Sequence, residues 1–113
     1  MYPEGYNLVV RVLRTDIYER WFRRLKDTQG KARINIALRR CTIAGKVVGD
    51  TKPLGHGVSE LRIHTGPGYR VYYLSRGNEM MLLMLGGDKS SQDRDIEKAK
   101  RIAKELKEEG KWQ

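Results

Sequence analysis

The chain contains 113 residues, of which 39% are hydrophobic and 33% are charged, and its formal net charge is +9. No apolar run approaches the roughly 20 residues that a transmembrane helix needs, which rules out a membrane-spanning helix. A single cysteine excludes an internal disulfide, and the N-terminus lacks the basic and then apolar segments of a secretory signal. We therefore expect one domain, residues 1–113, in the cytoplasm.

The basic side chains are unevenly distributed along the chain. Residues 1–87 carry fifteen basic and seven acidic side chains, whereas residues 88–113 carry eight and seven. The positive charge therefore belongs to the body of the domain rather than to its C-terminal part. An excess of this size indicates a polyanionic partner such as nucleic acid, and the simpler alternative is a soluble domain that is merely basic.

The first predicted elements are a strand and a helix. Asn7–Arg14 alternates in part and is rich in valine and leucine, as expected of a half-buried strand. Asp16 and Glu19 have the spacing of a capping box, and the apolar residues after them recur on one helical face. A helix is therefore predicted to begin at Asp16.

A second helix is predicted after a break at Gln29-Gly30. From Lys31 the apolar positions return to a period near 3.6 residues and continue to Gly45. The next segment, residues 45–57, contains four glycines and a proline, so it is predicted to be a loop or at most a poor strand.

Three strands and a helix are predicted for the second half of the chain. The runs Val58–His64, Tyr69–Ser75 and Glu79–Leu85 are separated by glycine-rich turn sequences, which indicates an antiparallel meander. Ser90 or Ser91 can cap a final helix. The resulting order β-α-α-β-β-β-α predicts an α+β fold with a small antiparallel sheet, two N-terminal helices and a C-terminal helix.

The two-residue period of strands sorts the meander into two faces. We expect all three helices to cover one face, which would bury the apolar residues Leu61, Ile63, Val71 and Tyr73. The other face would be exposed and would carry Glu60, Arg62, His64, Arg70 and Tyr72. A polar sheet face with two arginines on adjacent strands predicts an anion-binding site.

Four cations are predicted to converge on this polar face: Lys52, Arg62, Arg70 and Lys89. When RNA is cleaved by its own 2′-hydroxyl, a base must take that proton, cations must hold the phosphorane's charge, and an acid must protonate the 5′ oxygen. Lysine and arginine can fill these roles without metal or cofactor, and the sequence contains no typical metal-site spacing. On composition alone, ordinary surface cations remain the alternative.

Two segments carry a family resemblance: KPLGHGVSELRIHTGPGYRVYY at residues 52–73 and LMLGGDKSSQDRDIEKAKRIA at residues 83–103. They resemble the RelE/ParE superfamily of bacterial toxins, and more closely its HigB-like addiction module killer branch. In that branch K-x-L-G-x-G-V-x-E-L-R, G-P-G-Y-R-V-Y and G-G-D-K recur in this order. The match extends from about Val9 to Lys104, and the order of elements is compatible with a RelE-like fold.

The resemblance implies a toxin of a type II toxin–antitoxin pair that cuts mRNA in the ribosomal A site. Lys52 matches a loop lysine that acts as base or phosphate ligand, and Arg62 matches an arginine that holds the scissile phosphate. Arg70 matches a second arginine that stabilises the transition state. Lys89 takes the place of a histidine or tyrosine that relatives carry near the last strand. The RNA-binding residues would be Lys52, Arg62, His64, Arg70, Tyr72 and Lys89.

The implied partner besides mRNA is a cognate antitoxin, a small helical DNA-binding protein with an acidic neutralising segment. Two other functions stay open. ParE-like members of the superfamily resemble gyrase inhibitors with no reaction of their own, and the missing histidine or tyrosine favours that interpretation. A basic RNA-binding module without toxicity is the third. Arg70, moreover, is alternatively a structural residue tied to Glu60 across the strand pair.

Overall fold

The computed structural model describes residues 10–112, in which five strands and three helices form an α+β fold, as predicted. The strands are β1 (Arg11–Arg14), β2 (Asp50–Gly55), β3 (Val58–Ile63), β4 (Tyr69–Arg76) and β5 (Met80–Asp88). The helices are α1 (Asp16–Arg24), α2 (Thr28–Ala44) and α3 (Gln92–Glu108), and a short 3-10 turn over Lys89–Ser91 precedes α3. None of the helices within residues 10–112 combines the length and apolar character needed to cross a membrane.

The strands form one mixed sheet in the order β1-β5-β4-β3-β2. The predicted antiparallel meander of β3, β4 and β5 is confirmed. The prediction that the whole sheet is antiparallel is wrong, because β1 pairs in parallel with β5. Of the predicted strand Asn7–Arg14, residues 11–14 form β1, and residues 7–9 lie outside the described part of the chain.

A fifth strand, β2, lies within residues 45–57, the segment predicted to be a loop or at most a poor strand. β2 pairs antiparallel with β3, and its register is irregular between Pro53 and Gly55. Proline lacks an N–H for the ladder and is therefore tolerated at a sheet edge or a bulge, and β2 is an edge strand. Pro53 and Gly55, which suggested a loop, instead mark the distorted end of this strand, whereas Gly45 ends α2.

Apolar side chains are packed on both faces of the sheet, so the prediction that all helices share one face is wrong. On one face Ile34 and Leu38 of α2 pack with Leu61 and Val71. On the other face Ala99 and Ala103 of α3 belong to a second core. The cause lies in β4, where four successive residues, 71 to 74, are buried, so that both faces need cover. Sheet residues of the second core include Val58, Tyr72, Leu74, Met84 and Leu85.

The helix boundaries follow from side-chain caps. Thr15, rather than Asp16, caps α1 by accepting a hydrogen bond from the Tyr18 backbone N–H. Asp27 caps α2 by accepting from the Gly30 N–H at 2.9 Å. The predicted break at Gln29-Gly30 is therefore inside the first turn of α2. Glycine is required there because a Cβ at residue 30 would lie 2.5 Å from the Tyr69 ring.

The cap at Asp27 predicts a pH-dependent contribution to stability. Hydrogen bonds from the Gly30 N–H and from the Tyr69 hydroxyl, at 2.8 Å, hold the pKa of Asp27 below its usual value of 3.8. The unfolded chain therefore binds the extra proton more readily, and the stabilisation present at neutral pH is lost as pH falls from about 4 through the folded-state pKa. We expect Asp27→Asn to lower the urea midpoint at pH 7, and the gap to the parent to shrink at pH 3.

The matched control for this prediction is Glu97→Gln, an exposed substitution in the middle of α3. It should leave the urea midpoint close to that of the parent at both pH values. An Asp27→Asn gap that stays constant from pH 7 to pH 3 would contradict the role assigned to the ionised carboxylate.

Candidate cationic site on the sheet

Two rows of side chains cross the sheet on the face that α3 packs against. In the first row, Asp50, Arg62, Arg70 and Gly87 are register partners from β2 to β5. In the second row, Lys52 pairs with Glu60, which in turn pairs with Tyr72 and then Leu85. Residues directly opposite on neighbouring strands share a face, so the predicted arginine pair is brought together.

A buried carboxylate joins the two arginines. Oε2 of Glu60 lies 3.4 Å from Nε of Arg62 and 3.6 Å from Nε of Arg70, and the Glu60 side chain has no exposed surface. The Arg70 side chain is 11% exposed and that of Arg62 is 30% exposed. The two arginines, predicted to be exposed, therefore belong to a partly buried cluster. Arg70 contacts Glu60, as the structural interpretation of Arg70 predicts.

The cluster is held by charge more than by hydrogen bonds. Among residues 10–112, Oε2 of Glu60 and the Nε atoms of both arginines have no partner with hydrogen-bond geometry. Oε1 of Glu60 accepts from Nε2 of Gln92 at 3.2 Å, and Nη1 of Arg70 donates to the Gly68 carbonyl at 3.0 Å. A guanidinium has five N–H donors, so the bond to Gly68 orients Arg70 and leaves donors on both arginines for an anion.

The first turn of α3 closes the site on one side. The Asp95 carboxylate and the Ser91 hydroxyl lie over Gly87, where a Cβ atom would overlap the carboxylate. Ser91 donates a hydrogen bond to Asp95. The glycine of the GGDK motif therefore gives space to α3 beside Arg70 rather than cradling a phosphate.

Lys89 lies beside Arg70, as predicted. A Cβ at Gly68 would lie 3.4 Å from Nη1 of Arg70 and 3.8 Å from Cβ of Lys89, so the two cations flank this loop residue. Lys89 is exposed in the 3-10 turn. The structure thus brings Arg62, Arg70 and Lys89 to one end of the sheet.

Tyr72 does not belong to the exposed site. Its side chain is completely buried in the second core, and burial raises the pKa of its hydroxyl above the usual value, helped by the nearby Asp95 and Glu60 carboxylates. The prediction that Tyr72 faces solvent is wrong because α3 covers this part of the sheet. In this position the ring offers no surface to an RNA base.

Lys52 is exposed on the edge strand β2, one row away from the arginines. Its register partner is Glu60, whose carboxylate lies against Arg62 and Arg70. The two arginines lie in the neighbouring row, so the position of Lys52 gives no direct support to a role as base. An exposed ammonium suits the other predicted role, that of a phosphate ligand.

His64 lies at the end of β3 and contacts the site through Asp50. Its Nε2 lies 2.5 Å from Oδ2 of Asp50, which also lies 3.5 Å from Nε of Arg62. A groove of about 690 Å³ opens beside this pair, between α2 and the ends of β2 and β3. Its polar lining comes from Arg33, Arg40, Asp50, Arg62 and His64.

Several site residues were not predicted from the sequence. Asp50 lies in a segment predicted as a loop, and Gln92 is distant in sequence from Glu60. Arg33 and Arg40 are seven residues apart and share a helix face, a spacing that could have marked them as a pair. Glu60 was placed on the correct face, but its burial depends on α3.

Comparison with known proteins identifies a relative by sequence. No protein-family model matches the chain. A protein of Haemophilus influenzae (strain ATCC 51907 / DSM 11121 / KW20 / Rd), described as "Uncharacterized protein", is 38% identical over 99 residues. The aligned region covers 88% of this chain and 98% of the relative. With this identity over nearly the full length of both sequences, the chain belongs to the same protein family as the H. influenzae protein.

Proposed function

We propose that the protein is the toxin of a type II toxin–antitoxin pair and cleaves mRNA on the ribosome without a metal ion. The observation that carries this proposal is the register pairing of Arg62 with Arg70, which sets two guanidinium groups side by side on one sheet face. The resemblance of residues 52–73 and 83–103 to the HigB-like branch of the RelE/ParE superfamily supports it.

The roles proposed for the cations follow from their positions. Arg62, the more exposed arginine, contacts a non-bridging oxygen of the scissile phosphate. Arg70, oriented by the Gly68 carbonyl, stabilises the charge that develops on the phosphorane. Lys52 and Lys89, both exposed, bind neighbouring phosphates of the message or, in the case of Lys89, protonate the leaving oxygen.

One observation favours a second candidate function. Glu60 and Asp50 already lie within 3.6 Å of the arginines, and this neutralisation suits a protein that binds a partner without a reaction. A ParE-like gyrase inhibitor is the candidate of this class. A DNA supercoiling assay with purified gyrase, run beside the RNA assay, separates the two functions.

The proposal predicts strong dependence on the ribosome. A chain this small has few groups to read bases, so the ribosome must position the message and supply the in-line geometry, an effect worth several kcal/mol. We expect little or no cleavage of free mRNA by the purified protein, and cuts in the A-site codon when 70S ribosomes with an occupied P site are added. Primer extension maps these cuts.

Two outcomes would count against this assignment. Efficient, sequence-specific cleavage of naked RNA at physiological salt would remove the ribosome from the mechanism. Supercoiling inhibition without any RNA cut would select the gyrase function. An Arg101→Ala variant, changed at an exposed position on α3, controls for the general loss of one positive charge.

The proposal also includes a partner, and co-expression with that partner tests it. A protein with a charge of +9 and a cationic face suits an antitoxin with an acidic segment, encoded beside it, in the cytoplasm where ribosomes translate. We expect the co-expressed antitoxin to co-purify and to suppress both cleavage and growth arrest. A complex that leaves cleavage unchanged would remove neutralisation from the proposal.

A further inference from the structure

A histidine and a carboxylate form a pair beside Arg62. Nε2 of His64 and Nε of Arg62 contact the same oxygen, Oδ2 of Asp50, at 2.5 and 3.5 Å. One carboxylate therefore holds the imidazole next to the guanidinium group of Arg62. The groove between α2 and the ends of β2 and β3 opens beside them. His64 was predicted to bind RNA, but no step of the reaction has been assigned to this pair.

The ionisation of Asp50 decides which nitrogen of His64 carries the proton. The hydrogen bond from His64, with Arg62 close by, holds the pKa of Asp50 below its usual range, so the carboxylate is ionised at neutral pH. An ionised carboxylate only accepts hydrogen bonds, so Nε2 of His64 must be the protonated nitrogen. In the neutral imidazole, Nδ1 then carries the lone pair.

The position of His64 makes this lone pair accessible to a ligand. The His64 side chain is 71% exposed, in contrast to the buried Glu60 and the mostly buried Arg70. The charged groups that line the same groove are Arg33 and Arg40 of α2, together with Asp50 and Arg62. Arg62 belongs both to this groove and to the arginine pair, so a phosphate held by Arg62 would lie beside the imidazole.

We propose that His64, oriented by Asp50, is the general base that takes the 2′-hydroxyl proton during RNA cleavage. This inference rests on the proposed function. As Nδ1 of His64 takes the proton, the 2′ oxygen bonds to phosphorus and the bond from phosphorus to the 5′ oxygen breaks. The leaving oxygen takes a proton from Lys89, in the role proposed above, and the imidazolium returns its proton through water to the lysine amine. The products are a 2′,3′-cyclic phosphate and a 5′-hydroxyl end.

The alternative base, Lys52, is less suited to this step. A lysine must lose its proton before it can act as a base. Lys52 is also exposed on the edge strand, one row away from Arg62 and Arg70. A histidine is available as a base at neutral pH without such an adjustment. The division of roles that follows leaves Lys52 as a phosphate ligand and makes Asp50 a positioning residue.

The test compares cleavage of ribosome-bound mRNA by four proteins: the parent, His64→Gln, Asp50→Asn and His56→Asn. His56 is the matched control, because it lies in a turn with a φ of 56°, a conformation that asparagine adopts readily. We expect His64→Gln to slow cleavage by about 10²- to 10⁴-fold, as is typical for loss of a general base. Asp50→Asn should give a smaller loss, and His56→Asn should match the parent.

Two further readouts separate proton transfer from a structural role. Added imidazole should restore part of the cleavage lost in His64→Ala, and the acidic limb of the parent's pH–rate profile should be absent in His64→Gln. Melting curves should match the parent, because the side chain is exposed.

A His64→Gln protein that cleaves at the parent's rate would overturn this inference and leave the proposed function standing. Loss of cleavage with no imidazole rescue and an unchanged pH profile would also overturn it. A parent protein that makes no cut on the ribosome, with products of the cyclic phosphate type absent, would overturn the proposed function and this inference together.

Discussion

Replacement of Glu60 by glutamine is expected to lower the free energy of unfolding by about 3 kcal/mol. The carboxylate has no exposed surface and lies within 3.6 Å of two guanidinium groups. Removing its charge leaves Arg70, itself 11% exposed, beside a neutral amide in a poorly solvated position. We place the loss at the lower end of the range for broken buried ion pairs. The Arg62 side chain is 30% exposed and also contacts Asp50, so solvent and a second carboxylate still compensate its charge.

Urea denaturation followed by circular dichroism measures this loss. Glu79→Gln is the matched control, since Glu79 is exposed in the turn before β5 and its replacement should change the midpoint little. A domain of this size is stabilised by about 5–15 kcal/mol in total, so the expected effect is a large share. A Glu60→Gln protein as stable as the control variant would show that the cluster tolerates its positive charges without the carboxylate.

Removal of Arg70 is expected to slow RNA cleavage by about a hundredfold, the effect typical of losing one transition-state contact. The structure adds a second expectation. Because Arg70 is largely buried against Glu60, Arg70→Ala should also destabilise the fold by about 1–3 kcal/mol, as when a buried group loses its partner. Had Arg70 faced solvent, as the sequence predicts, its removal would leave thermal stability almost unchanged.

A second substitution separates the two effects of Arg70. In the double variant Arg70→Ala with Glu60→Gln, a neutral amide replaces the buried carboxylate that lost one of its two arginine partners, so part of the stability should return. Cleavage should stay low, because the guanidinium is still absent. If cleavage returns together with stability, Arg70 acts only through the fold, and the structural interpretation is correct.

Arg70→Lys refines the same argument. Lysine keeps the charge but cannot present a planar fork to two phosphate oxygens. We expect the melting temperature to remain near that of the parent and cleavage to remain well below it. Full cleavage by Arg70→Lys would remove the bidentate contact while leaving the site in place.

Elements with a local pattern could be predicted from the sequence, and elements defined by distant contacts could not. The meander strands have clear turns between them, and α3 has a clear line of apolar residues that includes the buried Ala99 and Ala103. The parallel partner of β1 is decided by a contact between residues 11–14 and 80–83, which no local pattern reveals. β2 was obscured by Pro53, which reads as a loop residue unless the strand lies at an edge.

The residues that share the site could be predicted from the sequence, but their burial and packing could not. The strand period placed Glu60, Arg62 and Arg70 on one face, which the register pairs confirm. It could not decide that α3 would cover part of that face, burying Glu60 and Tyr72. The unbroken apolar run from residue 71 to 74 was the available signal, since strands buried on both faces lose their alternation.

The parallel pairing of β1 with β5 has a consequence for synthesis of the chain. β1 comprises residues 11–14, and its neighbour in the sheet begins at residue 80, so β1 has no sheet partner until residues 80–83 have been synthesised. Gly87, the register partner of Arg70, is also on β5. A chain interrupted before residue 80 therefore lacks the strand that joins β1 to the rest of the sheet, and with it one wall of the cationic site. Incomplete products of this sequence would be released without the assembled site.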